Sequence, residues 1–267
     1  MAARLLPGKE IHMDFTNKVV IVTGAGGDMG RAITKKFTDN GAKAVLMDIR
    51  EDAAKRTADA LELDAEHGFC VTVDVSDEES VKAAVKKTVE QYGRIDCLVN
   101  LAGIEGPNNS RTEEYDFKWA KRVFEINVYG TFLMMQNVLP IMQAQKSGAI
   151  VNFGSVSGMF GYAGEIAYGA SKAAVIHMTK NAANENGGNG VRINSISPGW
   201  VNTEMFRRIL EQYKSTYENP LDNVTFGPMN RPGEPMEMAN VVAFLCSDEA
   251  SYVNGSNWLV DGGMTLG

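Results

Sequence analysis

Short apolar runs of four to eight residues recur along the chain, and segments with helical periodicity separate them. Several runs are apolar at nearly every position, which is typical of strands covered on both faces. The pattern predicts strands at residues 19–24, 44–49, 69–75, 95–103, 149–155, 191–197 and 257–263. Regular alternation of strands and helices favours βαβ crossovers. The predicted fold class is therefore α/β, with a doubly wound parallel sheet of about seven strands and helices on both faces.

Two of the intervening segments carry signals of helix ends. Residues 30–41 close at Gly41, and residues 77–93 open with acidic side chains and close at Gly93. No Pro/Gly/Ser-rich linker interrupts the chain, so we predict one domain over residues 15–267 after an N-terminal extension, residues 1–14. Residues 200–235 are too long for a connection within a compact sheet, and we predict that they form a substrate lid.

Composition narrows the classes of function. A chain of 267 residues with 44% hydrophobic residues can build one large core, and its net charge of −7 argues against a nucleic-acid partner. The three cysteines and three histidines show no metal-ligand spacing, so no metal is expected. No apolar stretch approaches the roughly 20 residues that span a bilayer, and no signal peptide is evident. We expect a cytoplasmic protein without a membrane partner.

The stretch TGAGGDMG follows the first predicted strand directly. Gly24, Gly27 and Gly30 have the spacing of a loop that lets the backbone approach a dinucleotide pyrophosphate in front of a helix N-terminus. The next predicted strand ends at Asp48, whose carboxylate would accept the adenosine ribose hydroxyls and repel a 2′-phosphate. This favours NAD(H), although Arg50 leaves NADP(H) open.

Asp28 places a negative charge inside this loop. Because Asp is a favoured N-cap residue, we predict that its carboxylate accepts the first-turn amides of the following helix and leaves the remaining loop amides to the pyrophosphate.

A second group of chemically capable residues follows the fifth predicted strand. Ser155 lies thirteen residues before Tyr168, and Lys172 lies four residues after it. Positions i and i+4 share one face of a helix, so Tyr168 and Lys172 are predicted to point the same way.

With these motifs, "NLAG" at 100–103, "SPGWVNT" at 197–203 and "VDGG" at 260–263, residues 15–267 resemble the short-chain dehydrogenase/reductase family, in its shorter-chain branch. The resemblance implies a Rossmann-type fold, NAD(P)-dependent hydride transfer and a homotetramer. It implies that Tyr168 is the general acid/base, that Lys172 favours the phenolate and holds the nicotinamide ribose, and that Ser155 orients the substrate oxygen. Asn127 would hold a water that links Lys172 to solvent.

The resemblance also assigns cofactor-binding positions, motif by motif. They are Gly24, Gly27, Asp28, Met29, Gly30, Asp48, Asp74, Val75, Asn100, Ala102, Gly103, Tyr168, Lys172, Pro198, Gly199, Val201 and Thr203. Two positions depart from the family pattern: Asp28 stands where the branch usually has glycine, and Leu101 stands where it usually has a second asparagine.

Substrate selectivity is expected in the loops beyond the strand ends. The predicted substrate pocket consists of Ser155, Met159, Phe160, Tyr162, Trp200, Met205 and Phe206. Such a lining favours a bulky apolar ketone or secondary alcohol, with a hydroxysteroid-like compound as the leading expectation. A 3-oxoacyl-carrier reductase or another small-ketone or polyol dehydrogenase is the alternative. From another class, a catalytically silent nucleotide-sensing protein also stays open.

Overall fold

Seven parallel strands form one sheet in the computed structural model, which describes residues 13–107, 110–214, 221 and 224–266. The strands are β1 (Val19–Thr23), β2 (Lys43–Asp48), β3 (Gly68–Thr72), β4 (Cys97–Asn100), β5 (Gly148–Phe153), β6 (Val191–Pro198) and β7 (Asn257–Val260). Their spatial order is β3-β2-β1-β4-β5-β6-β7. β1 pairs with β2 on one side and with β4 on the other, so the winding of the sheet reverses between β1 and β4. The predicted fold class is confirmed.

Some strands end earlier than the apolar runs suggested. β4 stops at Asn100 rather than at residue 103, because the amides of Leu101 and Ala102 donate to the Thr23 hydroxyl instead of to a neighbouring strand. β7 stops at Val260, and the glycines that follow in "VDGG" turn the chain with φ values of 64° and 83°.

Helices cover both faces of the sheet. They are α1 (Asp28–Thr38), α2 (Glu51–Ala60), α3 (Glu78–Tyr92), α4 (Phe117–Phe124), α5 (Thr131–Gln145), α6 (Ile166–Asn186), α7 (Glu204–Tyr213) and α8 (Pro235–Cys246). Val20 and Val22 of β1 belong to the core shared with α1, α2 and α8. Val19 and Ile21 belong to the core shared with α3, α5 and α6. Burial of both faces explains why the strands are apolar without alternation.

The helix ends follow local chemistry. The Asp77 carboxylate accepts the Ser80 amide at 2.6 Å at the start of α3, and Gly93 ends that helix with φ 73°. α1 ends at Thr38, short of the predicted Gly41, whose φ of 88° places it in the following turn.

The segment from 200 to 235, predicted to be a lid, contains α7, and a bridge between Val201 and Gly233 ties its two ends together. Residues 215–220 and 222–223 of this segment lie outside the described residues, as do residues 1–12 of the predicted extension. Within the described chain, no helix combines the length and apolarity needed to cross a membrane.

The first turn of α1 packs directly on the loop that precedes it. A Cβ added to Gly30 would lie 2.6 Å from the Ala25 Cα and closer still to the Gly24 carbonyl oxygen. At Gly27, by contrast, the nearest atom to an added Cβ is the Gly24 oxygen at 3.7 Å, and the backbone is extended with φ −88°. Of these two glycines, therefore, Gly30 is required for close packing and Gly27 is not.

We predict that Gly30→Ala lowers the free energy of unfolding by about 1–3 kcal/mol, because overpacking against backbone atoms cannot be relieved by a rotamer change. The sign is diagnostic, since Gly→Ala inside an unstrained helix stabilises by about 0.5–1 kcal/mol. Urea unfolding of the cofactor-free protein measures the effect. Gly27→Ala is the matched control and should change stability by less than about 1 kcal/mol. A Gly30→Ala protein as stable as the wild type would contradict this packing.

Candidate active site

The loops at the carboxyl edge of the sheet line a pocket that is open to solvent. In parallel sheets the loops after the strands meet at this edge, and the reversal of winding between β1 and β4 opens a crevice there. Segments that follow β1, β4, β5 and β6 all contribute to the wall. Of the residues predicted to bind cofactor or transfer protons, those that line the pocket are Met29, Gly103, Ser155, Tyr168, Lys172, Pro198, Gly199, Val201 and Thr203.

The glycine loop is held by side chains at the strand ends. The buried Asp48 carboxylate accepts the Gly26 amide and the Arg50 amide, each at 2.9 Å. The Thr23 hydroxyl accepts the Leu101 and Ala102 amides at 3.1 Å and thereby joins the end of β1 to the loop after β4. Asp48 thus lies against the loop at the end of β2, where the sequence predicted its contact with ribose.

The prediction that Asp28 caps α1 is wrong. Gly27 is the N-cap residue, it makes no side-chain bond to the helix, and Asp28 is the first helical residue. Its carboxylate turns to α7, where it accepts the Glu204 amide at 2.7 Å and the Arg207 guanidinium at 2.9 Å. The first amides of α1 have no partner within the helix, so they keep their capacity to bind an anion.

Ser155, Tyr168 and Lys172 converge on the pocket. Tyr168 and Lys172 lie one turn apart on α6, with the Lys172 Nζ atom 5.7 Å from the centroid of the Tyr168 ring. The Lys172 ammonium is buried and donates to the Phe153 carbonyl at 2.8 Å. Because Phe153 ends β5 and Ser155 follows two residues later, this bond aligns the helix with the serine.

Burial changes the pKa of both Tyr168 and Lys172. Desolvation raises the pKa of Tyr168, an effect that the Ser155 hydroxyl partly opposes and that the charges of Glu165 and Glu105 reinforce. Desolvation also lowers the pKa of Lys172 to about 8. The resemblance implied that Lys172 lowers the pKa of Tyr168. In this structure burial dominates, and the phenol is held in its protonated form.

Asn127 lies in a π-helical turn, Glu125–Gly130, between α4 and α5. Its side-chain oxygen accepts the Ile104 amide at 2.9 Å, while its amide group donates to the Ile104 carbonyl and to the Ser171 hydroxyl. π turns inside helices often mark functional sites. The side chain braces the loop after β4 against α6, beside Gly103, and its predicted link to a water stays a prediction.

The remaining predicted cofactor residues surround the same edge. Asn100 donates to the Asn152 side chain at 2.9 Å, and its own Oδ1 atom is buried without a partner among the described residues. The Asp74 carboxylate accepts the amide and hydroxyl of Ser76 within its own turn, and Val75 packs against Gly130. The Thr203 hydroxyl accepts the Phe206 amide at 3.3 Å at the start of α7.

Five of the seven predicted substrate residues line the pocket: Ser155, Tyr162, Trp200, Met205 and Phe206. Met159 and Phe160 do not. They are 49% and 42% exposed, and the Met159 sulfur accepts a hydrogen bond from the side-chain amide of Asn257, the first residue of β7. The pattern of apolar residues alone could not separate the two sets, because residues 159 and 160 leave the site in a turn.

Sequence reasoning missed two carboxyl groups in the pocket, Glu105 and Glu165. Glu105 lies five residues after the end of β4, and Glu165 lies one turn before Tyr168 at the start of α6. Burial raises the pKa of each. Their proximity in sequence to "NLAG" and to "YGASK" was the available signal.

We predict that Lys172→Met changes the pH dependence of stability. The pKa of Lys172 falls from 10.5 to about 8 on folding, so between these values the unfolded chain holds a proton that the folded chain lacks. The free energy of unfolding of the wild type therefore rises with pH in this window, by about 2–3 kcal/mol from this group. The methionine variant lacks this rise, and urea unfolding at pH 7 and pH 10 measures the difference.

Lys180→Met, at an exposed position on the same helix, is the matched control and should leave the pH dependence unchanged. Equal slopes for the wild type and Lys172→Met would contradict the burial of an ammonium at this site.

Several known proteins are similar to this chain in sequence and in architecture. The family described as enoyl-(acyl carrier protein) reductase matches residues 24–265. Levodione reductase of Leifsonia aquatica is 41% identical over 94% of this chain and 95% of its own, and a crystal structure of levodione reductase superposes with a TM-score of 0.90 over 94% of this chain and 99% of that one.

Two further relatives show the same similarity over nearly the full length of the chain. The 3-oxoacyl-(acyl-carrier-protein) reductase of Thermotoga maritima is 38% identical over 95% of this chain and all of its own. The structure of NAD⁺-bound xylitol dehydrogenase, 33% identical, superposes with a TM-score of 0.88 over 93% of this chain and 99% of that one. On this likeness over nearly its full length, the chain belongs to the short-chain dehydrogenase/reductase family.

Proposed function

We propose that the protein transfers hydride reversibly between NAD(H) and a secondary alcohol or ketone. The observation that carries this proposal is the convergence of Ser155, Tyr168 and Lys172 in one pocket beside the glycine loop. The reductase and dehydrogenase activities in the names of the relatives agree with it.

The edge of the sheet fits a dinucleotide. Gly26 and Gly30 leave no room for a Cβ, so the backbone of the loop lies close to Asp48 and to the start of α1. The free amides at the start of α1 suit a pyrophosphate, since Asp28 points away from them toward α7. Bound there, the nicotinamide cofactor supplies the hydride chemistry.

The chain's own groups manage the proton. Tyr168 keeps its proton because its phenol is desolvated, so it is ready to donate to the oxygen of a ketone as that oxygen gains charge. Ser155 lies next to it as a second hydrogen-bond donor to the same oxygen. Lys172, charged below a pKa of about 8, stabilises the phenolate that remains after proton transfer.

The preference for NAD(H) rests on Asp48. Its carboxylate is 8% exposed and is fixed by two amides at the end of β2, where its negative charge disfavours a 2′-phosphate. Arg50 is exposed beside it and is the residue through which NADP(H) would be accepted.

The proposed substrate has an apolar body. Trp200, Met205, Phe206 and Ile209 form one wall of the pocket, and the Trp200 and Phe206 ring centroids lie 5.3 Å apart. This supports an alicyclic ketone or alcohol, with a hydroxysteroid at the large end of the class. Reduction of a 3-oxoacyl carrier is the second candidate, favoured by the relative from Thermotoga maritima. Carboxyl groups inside the pocket and the net charge of −7 disfavour an acidic carrier.

The test follows the absorbance of NADH or NADPH during incubation with cyclohexanones, steroid ketones and 3-oxoacyl thioesters. We expect NADH to be consumed with an alicyclic ketone, and Tyr168→Phe to lower the rate by about 100-fold or more, because the proton donor is lost. Tyr252→Phe, at a fully exposed tyrosine, is the control and should retain full activity.

Three results would contradict the proposal. Consumption of NADPH alone would overturn the role of Asp48, and turnover of the thioester alone would favour the second candidate. Cofactor binding by calorimetry without turnover of any substrate would instead support a nucleotide-sensing protein.

A further inference from the structure

Two carboxyl groups interrupt the apolar lining of the pocket. Glu105 and Glu165 approach from different elements, the loop after β4 and the start of α6, and both line the same space as Ser155 and Tyr168. The rest of the wall, formed by residues such as Leu101, is largely apolar. A carboxyl group in such surroundings is costly unless a partner satisfies it.

Within the described chain, only part of the hydrogen-bonding capacity of each carboxyl group is used. Glu105 is 12% exposed, and its Oε1 atom lies 3.9 Å from the exposed Arg208 guanidinium. Glu165 interacts with the Ser157 hydroxyl. The Oε2 atom of each glutamate is fully buried and has no hydrogen-bond partner within the chain as far as the structure describes it. Native proteins rarely leave such atoms unpaired, so these oxygens point to a partner that is not part of the chain.

The charges of both glutamates affect the pKa of the groups around the proposed reaction site. Burial is the main cause of the raised pKa of Glu105 and of Tyr168; the charge of Glu165 adds to the first shift, and the charges of both glutamates add to the second. A substrate whose carbonyl oxygen lies at Ser155 and Tyr168 therefore has the two carboxyl groups within electrostatic range. Both glutamates line the pocket, so a substituent on the same molecule can reach these carboxyl groups.

The chemistry of that substituent follows from the groups. A carboxylate accepts hydrogen bonds and a carboxylic acid can also donate one, whereas an apolar substrate would leave both oxygens unpaired. Burial raises the pKa of both glutamates, and Arg208 offsets part of the charge of Glu105. A reduced negative charge favours a neutral hydroxyl over an ammonium group.

We propose that Glu105 and Glu165 are specificity-determining residues that bind a hydroxyl group of the substrate, so that the preferred substrate is a hydroxy ketone or diol with an apolar carbon frame. This inference rests on the proposed function and names the substrate class of that same site. It refines the expectation of a bulky apolar ketone or alcohol, because the pocket that holds Ser155 and Tyr168 also carries two polar anchors.

The test compares cyclohexanol with cyclohexanediols that carry the second hydroxyl at carbon 2, 3 or 4. We expect at least one diol to exceed cyclohexanol in kcat/KM by about 10- to 100-fold, the range for a hydrogen bond to a charged group. Glu105→Leu and Glu165→Leu should each reduce that ratio of diol to cyclohexanol turnover by about tenfold or more. Glu165 makes no side-chain bond that caps α6, so its replacement does not remove a helix cap.

Matched variants separate recognition from structure. Glu105→Gln and Glu165→Gln keep a hydrogen-bonding side chain and should retain part of the diol preference. Glu79→Leu, at a side chain 82% exposed on α3, should retain all of it. If the leucine variants lose kcat/KM equally for the diol and for cyclohexanol, the glutamates have only a structural role, and the inference is overturned. A tenfold preference for 2-aminocyclohexanol over the diols would overturn the hydroxyl assignment in favour of an ammonium group.

Calorimetry of the same diols with the NADH-loaded protein gives an answer that does not depend on turnover. Binding that weakens in both leucine variants supports the inference even if no hydride transfer occurs, a result that would defeat only the proposed function. Absence of diol binding to the wild-type protein, or equal affinity in all variants, would overturn the inference itself.

Discussion

The hydrogen bond from the buried Lys172 ammonium to the Phe153 carbonyl holds the active site together. It joins α6 to the last residue of β5 at 2.8 Å, and Ser155 follows from the same strand. Because Tyr168 lies one turn before Lys172 on α6, fixing the lysine also fixes the direction of the phenol. A parallel sheet makes this possible, since the ends of its strands and the loops after them meet at one edge.

Burial gives these groups their chemical character. The same desolvation that raises the pKa of Tyr168 lowers that of Lys172, so the phenol holds its proton while the ammonium can lose its own just above neutral pH. Buried polar atoms that have no partner among the described residues lie at the same edge, among them the Oε2 atoms of Glu105 and Glu165 and the Trp200 indole nitrogen. Unpaired buried atoms are tolerated where a ligand supplies the missing hydrogen bond, and elsewhere they lower the stability of the fold.

Local patterns in the sequence predicted the parts of this site that depend on local geometry. The apolar runs identified the strands because both faces of the sheet are covered, and the i, i+4 spacing placed Tyr168 and Lys172 on one face of α6. The glycine loop with Gly24 and Gly30 was predictable for the same reason, because a strand, a tight turn and a helix follow one another directly.

Contacts between distant segments were not predictable in this way. Asp28 has the composition of an N-cap, yet its partners Glu204 and Arg207 lie on α7, far along the chain. Met159 is apolar like the residues that line the pocket, but it contacts Asn257, which lies on β7, about a hundred residues later. Glu105 lies in the loop after β4, and only the fold places it in the same pocket as Glu165.

The proposed reaction depends most on Tyr168 as the proton donor, supported by a charged Lys172. The direct measurement is the rate constant of ketone reduction in a single turnover of the NADH-loaded protein, from pH 5 to pH 10. We expect a constant rate through neutral pH and a fall above about pH 8, where Lys172 loses its proton. A fall in rate between pH 5 and pH 7 would contradict it, because the proton would then come from a carboxylic acid such as Glu105 or Glu165.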